Sequence, residues 1–237
     1  MQFATRPRSY VRVAGPDAED YLQRMVSNDV AALSIGERCE ALLLTPKSRV
    51  IAPLVVLRRG ADDFLLLTEP ELGERVRAEL TRFRFAAKAE IEPEEHESWV
   101  VLGGEEVIDE RPAGEEVDEE AYERWRVEAG IPRWGREIDD SVLPAEAGLT
   151  ETHVSFTKGC YPGQEPIARL HHRGKVNRRL RRLELDEEPT GDELVLDGKI
   201  VGRITSRAGD CALGYVRTEV PEDAVLEVGG ASARLQG

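Results

Sequence analysis

A chain of 237 residues, 41% hydrophobic and 33% charged, is long enough to bury a sizeable core and too apolar to remain disordered. Its longest apolar runs, such as residues 51–57, fall far short of a bilayer span, and a net charge of −14 argues against a general nucleic-acid binder. Three widely spaced cysteines without a CxxC pair predict no disulfide framework and a reducing, cytoplasmic setting, and residues 1–8 lack the apolar core of a signal peptide.

Residues 9–13 alternate like a strand, and Gly15-Pro16-Asp17 opens a helix whose apolar face is Tyr21, Leu22, Met25 and Val26. Ser27-Asn28-Asp29 ends it. Residues 39–45, 50–57 and 64–68 are apolar and bounded by turn residues, which predicts three successive strands. A helix over 71–83 carries Leu72, Val76 and Leu80 at helical spacing, and residues 88–91 and 98–102 read as further strands beside an exposed acidic span. Asp118 caps a helix running to Ala129, stopped by Gly130-Ile131-Pro132. A loop-rich stretch from 132 to 161 precedes a short helix over 164–172. From Lys175 short strands alternate with turns, the Asp197-Gly198 hairpin signal among them, as in a small antiparallel barrel. Two domains are expected, residues 1–174 and 175–237, packed together because no low-complexity linker separates them.

Cys160 differs from the other cysteines. Cys39 and Cys211 sit in apolar strands and read as packing residues. Cys160 lies in the turn Lys158-Gly159-Cys160-Tyr161-Pro162-Gly163, with Lys158, Arg169, His171, Arg173 and Lys175 nearby, and positive charge favours the nucleophilic thiolate. On this chemistry alone a reactive thiol and a turn thiol carry equal weight. His153, His171 and His172 are candidate partners for a Cys–His enzyme. The ligand spacing of a structural zinc site is missing, and three cysteines do not make the four ligands of a resident iron–sulfur cluster.

Two further features concern ligands. Glu128, at the end of a predicted helix, offers a carboxylate able to accept two adjacent N–H donors from a pterin or purine-like ring, or equally to pair with Arg126. Residues 169–182 are basic and contain no acidic residue, so their arginines suit either an anionic ligand tail or a solvated edge strand.

The octet Lys158-Gly159-Cys160-Tyr161-Pro162-Gly163-Gln164-Glu165 resembles the signature of the YgfZ-type folate-binding proteins, relatives of the glycine-cleavage T-protein, an aminomethyltransferase. Weaker blocks follow the same family's order: 14–23 with 27–29, 44–50, 126–132 and 143–149. The resemblance implies an α+β fold of T-protein-like folate-binding subdomains around a central opening, followed by a C-terminal antiparallel β-barrel. It implies a tetrahydrofolate (or derivative) cofactor and a role in assembling or repairing iron–sulfur clusters in client proteins. Cys160 and Lys158 become the candidate reactive pair. Glu128 becomes the pterin-edge carboxylate, since it occupies the Glu of the family's R-x-E-x-G block, with Arg126, Tyr161, Gln164 and Arg173 as further cofactor contacts. Two other functions stay open: a folate-dependent one-carbon (aminomethyl) transferase, and an RNA-contacting or tRNA-modification-related module using residues 169–182. One departure bears on the first. T-proteins carry an Asn at a strand end and an Asp shortly after it, whereas this chain reads Phe64-Leu65-Leu66-Leu67-Thr68-Glu69-Pro70.

Overall fold

A computed structural model describes residues 1–236, with Arg173 described in its backbone alone. The chain starts with strand β1 (Gln2–Thr5), then β2 (Ser9–Ala14), helix α1 (Ala18–Met25), β3 (Arg38–Leu44), β4 (Val50–Gly60), β5 (Asp63–Thr68), α2 (Gly73–Phe83) and β6 (Glu90–Glu94). Strands β2 to β6 form a five-stranded sheet in the order β3-β4-β5-β2-β6. Along β5 the side chains alternate: Phe64 and Leu66 join the core beneath α1 and α2, while Leu65 and Leu67 face the other way, towards the middle of the molecule. The helices are amphipathic because Tyr21, Leu22 and Met25, and Val76 and Leu80, recur at helical spacing and meet that first face.

The second sheet was only partly legible in the sequence. It contains β7 (Ser98–Val101), β8 (Glu106–Ile108) and β9 (Glu115–Glu116) in the order β8-β7-β1-β9, with β1 pairing parallel to β9. Residues 2–5, 106–108 and 115–116 are too short for a two-residue period to mark them; β1 and β9 are strands because they pair with distant partners, and β8 because it returns against its neighbour β7. The strand expected at 88–91 lies at Glu90–Glu94 instead, because the carbonyl of Lys88 accepts from Asp17 N and its own N–H is held by the Asp17 carboxylate. His96 sits between the sheets: Nε2 contacts Glu94 at 2.9 Å and Nδ1 contacts Asp109 at 2.6 Å. Arg59 in turn binds Glu94, and these contacts hold the Glu94 carboxyl down at about 2.

Helix α3 (Glu119–Ala129) is capped as read: the Asp118 side chain accepts from Ala121 N, and Gly130 closes the helix in the left-handed region. The stretch after it includes one short helix, α4 (Thr150–His153), before α5 (Gln164–Arg173). The last six strands, β10 (Arg178–Leu185), β11 (Glu193–Leu196), β12 (Lys199–Ala208), β13 (Cys211–Arg217), β14 (Val225–Val228) and β15 (Ala231–Gln236), close into a barrel. Its interior is filled by Leu183, Leu194, Leu226 and Ala233 among others. Tyr215 leaves that core and packs outward with Leu42, Leu44, Val142 and Tyr161, joining the barrel to the free face of the five-stranded sheet.

Candidate functional site

The cysteine loop is held from several sides. Lys158 is buried, and its Nζ donates to the carbonyls of Val26 at 2.7 Å and Asn28 at 2.6 Å, just past the end of α1. A cation there complements the negative end of the helix. Burial pushes the Lys158 amine down to about 8. Ser155 N donates to Ser27 O, and Ser48 Oγ donates to the Gly163 carbonyl at 2.6 Å. Gly163 has φ +83°, and a Cβ there would stand 2.6 Å from Thr45 O, so only glycine fits. Tyr161 is buried under the Lys158 ammonium, 5.4 Å above its ring, and burial pushes its phenol up to about 12. Its hydroxyl is enclosed without a hydrogen-bond partner among the described residues. Gln164 opens α5 half-buried, and the Arg173 side chain lies outside the described residues.

Against this anchored background Cys160 itself is exposed. The three candidate histidines do not bond its sulfur: His153 faces Glu40 and Thr152, while His171 stacks on Phe156 with ring centroids 4.0 Å apart and meets His172 edge-on. Among the described residues no cluster of three or more His, Cys, Asp or Glu could hold a metal ion. The loop therefore presents a bare thiol on a rigid base.

A large cavity of about 800 Å³ opens between the free face of the five-stranded sheet, the four-stranded sheet, α3 and the barrel. Its wall carries Arg6, Arg8 and Arg38 with Glu69, Glu105 and Glu106, the rings of Tyr122 and Trp125, and Arg181 and Arg182 from β10. Arg6 and Arg8 flank Pro7 in the crossover between the sheets, which turns both towards the cavity. Glu69 follows β5 directly. Its Oε1 receives Arg6 Nη2 at 2.5 Å and Arg8 Nη1 at 3.2 Å, and Arg8 also grips Glu106 through Nε and Nη2, both at 2.9 Å. Burial opposes the Arg8 charge, but Glu106 and Glu69 outweigh it and raise its pKa. A second cavity of about 260 Å³ lies on the far side of Arg6, Glu69 and Tyr122, which line both.

The two α3 candidates stand differently from the expectation. Glu128 is half-exposed and pairs with Arg124 at 2.9 Å, off the cavity lining. Arg126 is buried, and all five of its N–H donors meet protein acceptors: Glu123 twice, Ile131 O, Glu137 and Ser206 Oγ. Glu137 is as fully used, accepting from Arg126, Arg133 N, Thr205 and Ser206. Arg126 therefore fastens α3 to the barrel and keeps no donor for a ligand. Part of the basic stretch is engaged: Arg178 pairs with Glu146 and lies over Tyr215, Arg181 pairs with Glu222, and Arg182 donates to Glu128 O. Cys39, read as a packing residue, is partly buried against the core under α1, and burial pushes its thiol up to about 11.

Residues 177–236 match the family described as CAF17, C-terminal beta-barrel domain. The whole chain superposes on the crystal structure of glycine cleavage system aminomethyltransferase T from Bartonella henselae with a TM-score of 0.83, over 98% of this chain and 83% of that one, at 19% identity. The protein thus has the aminomethyltransferase fold, closed by a CAF17-type barrel, and the resemblance to T-protein relatives is borne out at that level. By sequence it is similar to the mitochondrial iron–sulfur cluster assembly factor IBA57 of Mus musculus, 26% identical over 273 residues that cover 90% of this chain and 76% of that protein. An aminomethyltransferase of Nostoc is 28% identical over 208 residues, 86% of this chain and 46% of the other.

The octet made the cysteine loop visible in the sequence. The sequence does not single out Arg6, Arg8, Glu69, Tyr122 and Trp125, because they come from three separate places, the crossover before β2, the end of β5 and α3, and no spacing links the three. The available signal was Thr68-Glu69-Pro70, a charged residue at the strand end where T-proteins carry Asn.

Proposed function

We propose that this chain binds a reduced folate in the 800 Å³ cavity and assists the assembly or repair of iron–sulfur clusters in client proteins through Cys160. The observation that carries the reading is the exposed, unpartnered thiol on a loop fixed by Lys158 and Gly163, in a chain related to IBA57 assembly factors. A thiol that is accessible yet held in place can give a cluster, as substrate, one transient ligand without competing for permanent possession. The cavity fits a tetrahydrofolate: it has the volume, two aromatic faces and polar groups at both ends of its wall. Bound there, the cofactor would supply one-carbon carrying capacity. Tyr122 and Trp125 would flank its rings, and arginines of the wall would meet its carboxylates. Cys160 is not among the residues lining that cavity, so folate on this reading acts on the loop through the shared sheet β3–β4 rather than by touching the sulfur. Aminomethyl transfer finds less support, since the carboxylate at the strand end is clamped by two arginines. RNA contact finds less support too, with Arg178 and Arg181 paired internally.

The test is a deletion strain complemented with wild type or Cys160→Ser, read by the activities of cluster-containing enzymes, beside calorimetry of tetrahydrofolate on the purified protein. Restored activity with wild type and not with Cys160→Ser, together with saturable folate binding, is the expected result. Full rescue by Cys160→Ser removes the cysteine from the function.

A further inference from the structure

The cysteine loop leads directly into α5, and one face of that helix walls an apolar groove of about 520 Å³. Pro166, Ile167 and Leu170 form this wall, and Leu143 and Ala145, from the segment before α4, form the other. Ser48 lines the groove as well, and its hydroxyl is the one that donates to the Gly163 carbonyl, so groove and loop share a fastening. Ile167 belongs to the core between sheet and barrel. Leu143 and Leu170 join none of the four hydrophobic clusters and stay partly exposed. Two leucines left half in water forgo burial free energy that a covering surface would recover. The rim is basic. Arg169 lines the groove, and Lys175 follows Gly174 at its end. Both are exposed, and neither takes an ion pair or hydrogen bond among the described residues. Glu165, one helical turn before Arg169, is the only acidic residue of α5, and none follows it before Glu184, in a chain of net charge −14.

We propose that this groove docks an acidic, amphipathic segment of the client protein, whose apolar side chains cover Leu143 and Leu170 while its carboxylates meet Arg169 and Lys175. The proposal rests on the cluster-assembly reading and deepens it, by saying how a client is held while Cys160 reaches its cluster. The charge selects the occupant. An acidic segment is repelled by most of this surface and attracted at this rim, which orients it on arrival. The length suits it too. From Pro166 to Gly174 the wall runs about 12 Å at 1.5 Å per residue, enough for two turns of a partner helix with its anchors along one face. The thiol is within the same footprint. Cys160 stands six residues before Pro166 in the chain. Even fully extended, that is at most about 22 Å, whereas an ordinary interface of about 800 Å² per partner is roughly 30 Å across. One interface therefore covers both the groove and the cysteine.

The test complements a deletion strain with wild type, Leu170→Glu, the double variant Arg169→Glu/Lys175→Glu, or Cys160→Ser, and reads the activities of cluster-containing enzymes at matched protein levels. Both groove variants are expected to lower those activities roughly five- to tenfold. The double variant changes exposed side chains alone, so its melting temperature and its rate of Cys160 alkylation by iodoacetamide should match wild type. Full activity in both groove variants beside an inactive Cys160→Ser overturns the docking site and leaves the assembly reading intact. Full activity of Cys160→Ser removes the reading and the docking site together. Binding is measured directly with a fluorescein-labelled peptide carrying leucines at helical spacing among glutamates, and with its lysine counterpart. The glutamate peptide should bind wild type roughly tenfold more tightly than the lysine peptide and lose that advantage in the double variant. Equal binding of the two peptides overturns the proposal. So does a wild-type dimer that Leu170→Glu dissociates in sedimentation, which gives the groove to a second copy of this chain.

Discussion

Two buried arginine–glutamate clusters touch α3, and they differ in how completely they are satisfied. Around Arg126 and Glu137 every guanidinium donor and all four carboxylate acceptor positions are met by protein. Around Arg6 and Glu69 an oxygen and several N–H groups face a cavity. A saturated network specifies how domains pack, whereas an unsaturated one of the same composition is poised for a ligand. Burial and pairing alone do not distinguish them; counting donors and acceptors does.

The sharpest way to break this contrast is to cut each cluster. Arg126→Met strands Glu137 and Glu123 and is expected to cost about 3–5 kcal/mol in urea unfolding, the largest stability effect of the set. Glu69→Gln should lower stability far less than that, with its main effect on ligand affinity; a loss as large as that of Arg126→Met would mean that the cavity cluster is structural after all. The partly exposed Arg59–Glu94–His96 group provides an intermediate case. Its Glu94 carboxyl is held at about 2, chiefly by Arg59 and then by His96, so its stabilisation is complete above the ordinary carboxylate range and is lost as pH falls through about 2. Glu94→Gln should therefore cost about 1–2 kcal/mol at pH 7 and nothing near pH 2, read from melting curves across that range. Smallest of all, Cys160→Ser should change stability by less than about 0.5 kcal/mol, since the exposed side chain packs against little. A larger drop would move Cys160 from function to structure.

Much of the architecture was legible because it rests on local patterns. Tyr21, Leu22 and Met25 announce α1, Asp118 and Gly130 bracket α3, and Asp197-Gly198, both at positive φ, makes a barrel hairpin. The four-stranded sheet is less legible, because β1 and β9 owe their form to partners up to 113 residues away. The site divided in the same way. Cys160 and Lys158 sit within one motif, but the motif does not say that Lys158 would spend its protons on the backbone of residues 26 and 28. Glu128 looked like the ring carboxylate because of its block, yet its side chain turns to Arg124, four residues earlier on the same helix. Glu69 is placed by a strand end, an inter-sheet crossover and the neighbouring helix meeting in three dimensions, and no window of sequence holds all three.

The bond from Lys158 to Val26 spans 132 residues. On the ribosome, α1 emerges early but meets this cation only after Lys158 has been made, roughly 7–26 s later at 5–20 residues per second. For that interval the carbonyls past the end of α1 rely on water, whereas the apolar face of the helix is covered earlier, once β6, the last strand of its sheet, has been made. The cysteine loop thus adds its cation late, to a helix and sheet already packed together, and the barrel follows it.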